Sequence, residues 1–237
     1  MSEREKSLTR TDASSVAERS DRSDVAAFLA RAKASAGTGV GRLVFAMDAT
    51  MSRQPTWDRA MHEQAAMFDA VGKLGTLDVQ LVYFRGFGES RASKWVSDTK
   101  ALRLLMEKID CRGGRTQISK VLKHTLNENS KRPVSALAFV GDAMEENVDE
   151  LCQRAGELGL RKVPCFMFHE GRDGTTERAF REIARLSNGA YVRFGEGSSS
   201  RLADLLGAVA AYSAGGLKAL EARGGKGDRL LLTQMKR

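Results

Sequence analysis

The sequence is poor in the residues and patterns that mark several common protein classes. Of its 237 residues only 6% are aromatic, and three are cysteines. The cysteines are widely spaced and form no CxxC pair, which favours buried thiols over disulfides or zinc ligands. No apolar run approaches the roughly 18 residues that a membrane helix needs, and the charged N-terminus lacks the apolar core of a secretory signal. We therefore expect a cytoplasmic protein with no membrane span.

Positive charge is in excess, with 38 Lys and Arg against 30 Asp and Glu and a formal net charge of +8. The excess is concentrated at residues 85–123, with ten basic against four acidic side chains, and at residues 215–237, with six against two. Neither region carries a recognition-helix or RNA-binding signature. A basic solvated surface is the simplest interpretation and an acidic protein partner the next. Nucleic-acid binding through the basic C-terminal tail stays as an alternative.

Composition divides the chain into four parts. Residues 1–22 alternate charge with serine and threonine, which predicts a disordered charged arm. Ser23 and Asp24 can cap a short N-terminal helix over residues 23–36. Residues 37–214 form the main domain, and residues 215–237 are predicted as a basic, glycine-interrupted tail. The apolar triplet at residues 230–232 of that tail either docks on a partner or covers the domain's own surface.

Apolar runs and helical periodicities alternate through the main domain. Strands are predicted at residues 43–47, 79–84, 134–140, 163–168 and 190–194, with a short edge strand between 85 and 97. Apolar spacing predicts helices at residues 56–73, 100–109, 117–128, 145–158, 177–186 and 202–212. Alternating strands and helices indicate βαβ units. The predicted fold class is therefore α/β: a doubly wound, mostly parallel six-stranded sheet with helices on both faces.

Oxygen-bearing side chains follow two of the predicted strands. Asp48, Thr50 and Ser52 stand at alternate positions after the first strand, and Asp142 follows the strand at 134–140. Thr116 lies in a glycine-containing loop that opens a helix. Ligands bind at the carboxyl ends of strands in open α/β sheets. Carboxylate and hydroxyl oxygens suit Mg²⁺, Mn²⁺ or Ca²⁺ better than zinc, so these loops form a candidate metal site if the two strands are neighbours.

The three loops resemble the metal-ion-dependent adhesion site of the von Willebrand factor A domain. That site combines a DxSxS loop, a threonine in a GGxT-like loop and an aspartate after the fourth strand. The residues that match these positions in order are Asp48, Thr50, Ser52, Thr116 and Asp142. The similarity of element order covers about residues 42–212, and among bacterial proteins the chain is similar to stand-alone intracellular members of the family.

The sequence departs from the family pattern at two places. Thr50 replaces the first serine, which keeps the hydroxyl and adds a methyl group. Gly141-Asp142-Ala143 replaces the more familiar Thr-Asp-Gly, so the backbone around the aspartate is expected to differ.

The resemblance implies a binding module and not an enzyme. The five matching residues would hold Mg²⁺, or Mn²⁺ or Ca²⁺, and an Asp or Glu of a protein partner would complete the coordination. Arg53, Arg112 and Arg115 lie near these residues in sequence and are expected to form a rim that steers an acidic partner. The sequence does not name the partner or the oligomeric state.

Simpler structural explanations exist for each proposed ligand. Asp48 or Ser52 can cap the helical segment that follows. In the same way, Thr116 can cap the helix predicted from residue 117, and Asp142 the helix predicted from residue 145. His169 and Glu170 end a strand and can line the rim of the site, but solvated loop residues are the simpler interpretation.

An alternative function is Mg-dependent phosphotransfer or phosphate-ester hydrolysis. Asp48 follows a buried strand, as the nucleophile does in phosphotransferases of the haloacid-dehalogenase type, which use DxDx[TV]. Thr50 stands where those enzymes need a second aspartate as general acid and base. The pattern therefore favours binding over this chemistry.

Overall fold

Six strands form one sheet, in the order β3-β2-β1-β4-β5-β6. Neighbouring strands are parallel except β2 and β3, which form an antiparallel hairpin at one edge. The strands are β1 (Gly41–Asp48), β2 (Leu77–Arg85), β3 (Glu89–Ala92), β4 (Ala136–Gly141), β5 (Cys165–Glu170) and β6 (Ala190–Phe194). This confirms the predicted six-stranded, mostly parallel sheet.

Residues 41–53, 77–195 and 199–235 are described by this structure, a computed structural model. The arm at residues 1–22, the helix predicted at 23–36 and the helix predicted at 56–73 lie outside the described residues.

Helices cover both faces of the sheet. They are α1 (Thr99–Met106), α2 (Ile118–Lys131), α3 (Val148–Leu160), α4 (Gly174–Leu186), α5 (Ser199–Arg223) and α6 (Lys226–Met235), with a short 3-10 turn at Met51–Arg53. Side chains of β1 alternate between the two layers: Phe45 packs with α1, α5 and α6, and Val44 packs with α2, α3 and α4. Burial on both faces explains why this strand is an uninterrupted apolar run.

Two helices begin at capping residues that the apolar spacing did not indicate. The side chain of Asn147 accepts hydrogen bonds from the N–H groups of Asp149 and Glu150, so α3 begins at Val148 and not at residue 145. The side chain of Asp173 accepts a hydrogen bond from the N–H of Thr176, so α4 begins three residues before the predicted position.

The segment predicted as a basic tail is helical through residue 235, apart from Gly224 and Gly225, and corrects that expectation. Helix α5 continues past residue 214 and bends at Gly216, whose φ of 66° is a conformation that glycine adopts readily. Leu220 and Leu231 are fully buried, whereas Leu230 is 37% exposed. Of the two alternatives given for the apolar triplet, the structure favours packing on the domain itself, because Leu231 is buried there. The glycine interruptions obscured this helical spacing in the sequence.

The three cysteines are free thiols, with Cys111 and Cys165 buried and Cys152 half-buried. Burial raises the pKa of Cys165 to about 12. Among the described helices, none combines the length and the apolar character needed to cross a membrane.

Candidate metal centre at the carboxyl end of the sheet

Asp48 ends β1 and is fully buried. Its Oδ1 accepts a hydrogen bond from the N–H of Thr50 over 2.8 Å. The hydroxyls of Thr50 and Ser52 lie 3.1 Å apart, with Thr50 buried and Ser52 exposed. The loop therefore presents a carboxylate inside the protein and two hydroxyl oxygens that lead from it to the surface.

Asp142 is brought beside this loop by the pairing of β1 with β4. Met47 stands opposite Val140, so the next residues along the two strands, Asp48 and Gly141, are neighbours. A Cβ atom added to Gly141 would lie 3.6 Å from the Cβ of Asp48. Asp142 Oδ1 is buried and has no hydrogen-bond partner among the described residues. A buried carboxylate oxygen without a donor is unfavourable unless a cation or water satisfies it.

Thr116 is linked to the loop that carries Asp142. Its buried hydroxyl accepts a hydrogen bond from the N–H of Glu145 over 3.1 Å. One residue further on, the carboxylate of Glu146 accepts hydrogen bonds from the N–H groups of Ile118 and Ser119 at the start of α2. The loop after β4 and the beginning of α2 are therefore joined at two consecutive residues.

The segment before Thr116 is joined in turn to the Asp48 loop. The N–H of Arg112 donates to the carbonyl of Ala49 over 3.0 Å. The N–H of Arg115 donates to the carbonyl of Gly86 over 3.1 Å, and a Cβ atom on Gly114 would lie 2.1 Å from that same oxygen. All three loops of the predicted site thus meet at the carboxyl end of the sheet.

Two of the simpler explanations fail on these contacts. Gln117 is the N-cap of α2 and its own side chain makes no capping hydrogen bond, while the Thr116 hydroxyl bonds to another loop. Asn147, and not Asp142, caps α3. The hydrogen bond from Thr50 to Asp48 does give Asp48 a local structural role, and the segment it was expected to cap lies outside the described residues.

Comparison with known proteins identifies the fold of the chain. No protein-family model matches the sequence, and no curated protein matches it by sequence. Among solved structures, a von Willebrand factor type A protein from Catenulispora acidiphila superposes with a TM-score of 0.60 at 15% identity, covering 75% of this chain and 43% of that chain. The von Willebrand factor A domain of SpRpn10 superposes with a TM-score of 0.59 at 11% identity, covering 70% and 95%. The chain has the von Willebrand factor A fold.

A third similar structure is proximal thread matrix protein 1 from the mussel byssus, described as having a zinc-occupied metal-ion-dependent adhesion site. It superposes with a TM-score of 0.52 at 16% identity, covering 73% of this chain and 45% of that chain. The present chain therefore spans less than half the length of the Catenulispora and mussel proteins. At these identities the likeness establishes the von Willebrand factor A fold.

The oxygen donors of the five candidate ligands suit a hard cation. It contains two carboxylates and three hydroxyls, and Mg²⁺ or Ca²⁺ takes oxygen ligands of these kinds. Within the described ranges, no three side chains of His, Cys, Asp or Glu come together that could hold a metal by themselves. The five candidate ligands therefore combine hydroxyls with carboxylates, and Oδ1 of Asp142 is buried without a hydrogen-bond partner among the described residues.

The proposed rim contains paired and unpaired arginines. Arg112 is 58% exposed and lies 3.0 Å from Asp110, and its hydrogen bond lowers the pKa of that carboxyl below the usual value. Arg115 is exposed and forms no ion pair within the described part of the chain. Arg53 lies in the 3-10 turn, and its side chain is outside what the structure describes.

The sequence analysis did not identify Arg85, which holds together the segments around Glu89 and Asp110 beside the site. This buried guanidinium donates to the carboxylate of Glu89 over 3.0 Å and to the side chain and carbonyl of Asp110. Gln117 contacts the same segments, because its side-chain amide donates to the carbonyl of Arg85 over 3.3 Å. The signal that was missed is a buried arginine at the end of a strand, which needs acidic partners nearby.

His169 is not a solvated loop residue, which corrects that expectation. It lies within β5 and is fully buried, with Nδ1 3.0 Å from the hydroxyl of Tyr191 and its ring packed on Phe180. Burial lowers its pKa. Glu170 is 8% exposed, so the residue pair belongs to the interior because β5 extends two residues beyond the predicted strand.

Proposed function

We propose that this protein is a divalent-metal-dependent protein–protein interaction module. Mg²⁺, or Mn²⁺ or Ca²⁺, is held by five residues and an Asp or Glu of a partner protein completes the coordination. The proposed ligands are Asp48, Thr50, Ser52, Thr116 and Asp142. The observation that carries the proposal is the convergence of three loops, distant in sequence, on one edge of the sheet, where Asp142 Oδ1 is buried without a hydrogen-bond partner among the described residues.

The proposed ligands differ in how far they are exposed to solvent. The Asp48 carboxylate is buried and oriented by the N–H of Thr50, so its position does not depend on a partner. The Ser52 hydroxyl is at the exposed side of the loop. When bound, the ion supplies positive charge that attracts an anionic oxygen. Neutral hydroxyls among its ligands leave more of that charge for the partner's carboxylate than an all-carboxylate site would.

The rim adds long-range attraction. Arg115 is exposed and free of ion pairs within the described ranges, and its charge favours the approach of an acidic surface. Arg112 shares its charge with Asp110 and contributes less. Binding is therefore expected to weaken as ionic strength rises.

A matched pair of serine variants tests the proposal. Ser52→Ala removes one proposed ligand at an exposed position, and Ser97→Ala removes an exposed hydroxyl away from the site. In crosslinking pull-downs from native extract, wild type and Ser97→Ala are expected to capture the same proteins in Mg²⁺ and to lose them in chelator. Ser52→Ala is expected to lose them in both buffers. Capture that is equal for all three proteins, with and without chelator, removes this function.

The alternative functions have their own tests. Phosphatase activity on a generic ester in Mg²⁺ is expected to be absent because Thr50 provides no acid or base at the position of the second aspartate. Retention on unrelated DNA at low salt is also expected to be absent, because residues 215–235 form helices packed on the domain.

A further inference from the structure

A second candidate surface lies at the opposite edge of the sheet from β3, along β6. A cleft of about 810 Å³ opens there, lined by residues of β6, α4, α5, α6 and the segment after β5. None of the five proposed metal ligands lines it. Four arginines contribute to its wall against a single acidic residue, Glu177; the arginines are Arg172, Arg181, Arg193 and Arg201.

Two of these arginines form ion pairs within the cleft, and the other two form none among the described residues. Glu177 pairs with Arg181 over 2.7 Å and with Arg193 over 3.2 Å. Arg181 also stacks over the ring of Tyr191, 4.3 Å from its centroid. Arg172 and Arg201 are exposed and form no ion pair among the described residues. The cleft therefore keeps a net positive charge after its internal pairs are formed.

The backbone of β6 is already bonded on its outer side at one residue. The N–H of Tyr191 donates to Oε1 of Gln234 over 2.9 Å, and Nε2 of Gln234 donates to the carbonyl of Tyr191 over 2.8 Å. The side-chain amide of α6 thus bonds to the strand as a peptide group of another strand would. Tyr191 therefore directs both backbone groups away from β5.

The next outward-facing residue is Arg193. Hydrogen-bonding groups alternate in direction along a strand, so Arg193 directs its N–H and carbonyl to the same side as Tyr191. Phe194 faces the other way, and its carbonyl accepts from the N–H of Gly171 over 3.4 Å. Within the described ranges, no group beyond the sheet ladder bonds to the backbone of Arg193. The edge of β6 is therefore occupied at Tyr191 and open at Arg193, next to the exposed arginines.

We propose that this edge binds an extended acidic segment of a partner protein by strand addition. The added strand pairs its backbone with Arg193, and its carboxylates pair with Arg172 and Arg201. Unpaired edges bind extended peptides in this way, with backbone bonds giving affinity and side-chain contacts giving selectivity. The arginines keep neutral and basic strands away, which protects an open edge from aggregation, and they select an acidic occupant.

The test uses the full chain and a labelled peptide in which glutamate and valine alternate, followed by fluorescence anisotropy. A second peptide has the same sequence with alternate backbone nitrogens methylated, which keeps the charge and removes the strand bonds. The double variant Arg172→Glu/Arg201→Glu reverses the free charges, and Arg161→Glu reverses an exposed arginine away from the cleft. We expect the methylated peptide and the double variant each to weaken binding at least ~10-fold. Arg161→Glu and chelator are expected to leave binding unchanged.

A substitution in the strand separates backbone pairing from charge. Arg193→Pro removes an outward N–H and leaves the ladder with β5 intact, as proline is tolerated at such edge positions. Arg193→Gln removes only the side-chain charge. The proline variant is expected to bind the peptide at least ~10-fold more weakly than the glutamine variant.

Several results overturn the proposal. Equal binding of the methylated and unmethylated peptides identifies a site for anions without strand addition. Binding abolished by chelator places the peptide at the metal site. Dimers of the chain alone that Arg193→Pro dissociates identify a second copy as the occupant. Absence of peptide binding to the wild type also overturns it.

Discussion

The hydroxyl of Thr116 accepts a hydrogen bond from the N–H of Glu145 over 3.1 Å, which joins two loops that are 29 residues apart in sequence. The bond fixes the position of Thr116 relative to the loop of Asp142 before any ligand arrives. A site whose donors are held in place loses less conformational entropy when an ion binds. Changes that displace these loops are therefore expected to weaken metal binding even when they touch no ligand.

Gly114→Ala is expected to distort the loop that holds Thr116. The added methyl group would lie 2.1 Å from the carbonyl oxygen of Gly86, and because the methyl is attached directly to Cα and the oxygen belongs to the backbone, neither can move away easily. We expect a loss of about 1–3 kcal/mol of unfolding free energy and at least ~10-fold weaker metal binding. Urea denaturation and calorimetric metal titration measure the two effects.

The neighbouring glycine provides the control. A Cβ atom on Gly113 would meet no atom within 4 Å, so Gly113→Ala is expected to change stability by less than about 0.5 kcal/mol. Equal effects of the two substitutions would show that the close contact at Gly114 does not position the site.

Glu146→Ala is expected to destabilise the start of α2. The carboxylate accepts hydrogen bonds from the N–H groups of Ile118 and Ser119, where negative charge is favourable at the helix N-terminus. Its loss should cost about 1–2 kcal/mol of unfolding free energy, measured by urea denaturation. Glu146→Gln keeps an acceptor and is expected to cost less, while the exposed Gln153→Ala should have no measurable effect. A Glu146→Ala protein as stable as wild type would contradict this role.

Glu128 joins three elements through one carboxylate. It accepts hydrogen bonds from the guanidinium of Arg42, the indole of Trp95 over 2.8 Å and the ammonium of Lys131 over 2.6 Å. Glu128→Gln leaves the buried Arg42 without its counter-charge, and we expect a loss of about 2–3 kcal/mol at pH 7. The half-buried Glu157, with no ion pair among the described residues, provides Glu157→Gln as a control.

The effect of Glu128→Gln is expected to depend on pH. Burial acts to raise the pKa of Glu128, but hydrogen bonds from Lys131 and Trp95 outweigh it, so the pKa is lowered in the folded protein. A lowered carboxyl pKa stabilises the fold above the unfolded pKa, and that contribution is lost as pH falls through the folded pKa. Denaturation midpoints of wild type and variant should therefore converge below about pH 4. A difference that stays constant from pH 7 to pH 3 would contradict the assignment.

Much of the fold was predictable because apolar patterning reports burial directly. The run from Leu43 to Met47 is apolar at every position because both faces of β1 are covered, and that pattern predicted a central parallel strand. The positions of Asp48 and Asp142 at strand ends followed from the same pattern. Once the two strands were neighbours, their loops had to meet at one edge.

Other features depend on contacts that local patterns do not encode. Glu146 is an ordinary acidic residue in sequence, and only the chain path brings it to the start of α2. His169 was expected to be solvated because it was placed at the end of the predicted strand, but the sheet continues through both His169 and Glu170. The helical end of the chain was obscured because glycines interrupt its spacing, and Gly216 itself makes the bend within α5.

The most direct test of the central claim is a titration of the full chain with Mn²⁺, followed by electron paramagnetic resonance. Wild type is compared with Asp142→Asn, which keeps the shape of the side chain and removes its charge. We predict a single saturable site in the wild type that Mg²⁺ displaces, and an affinity lower by more than ~100-fold in the variant. Circular dichroism of both proteins shows that each is folded. Equal Mn²⁺ affinity in the two folded proteins, or no saturable binding to the wild type, would contradict a metal-dependent site at these residues.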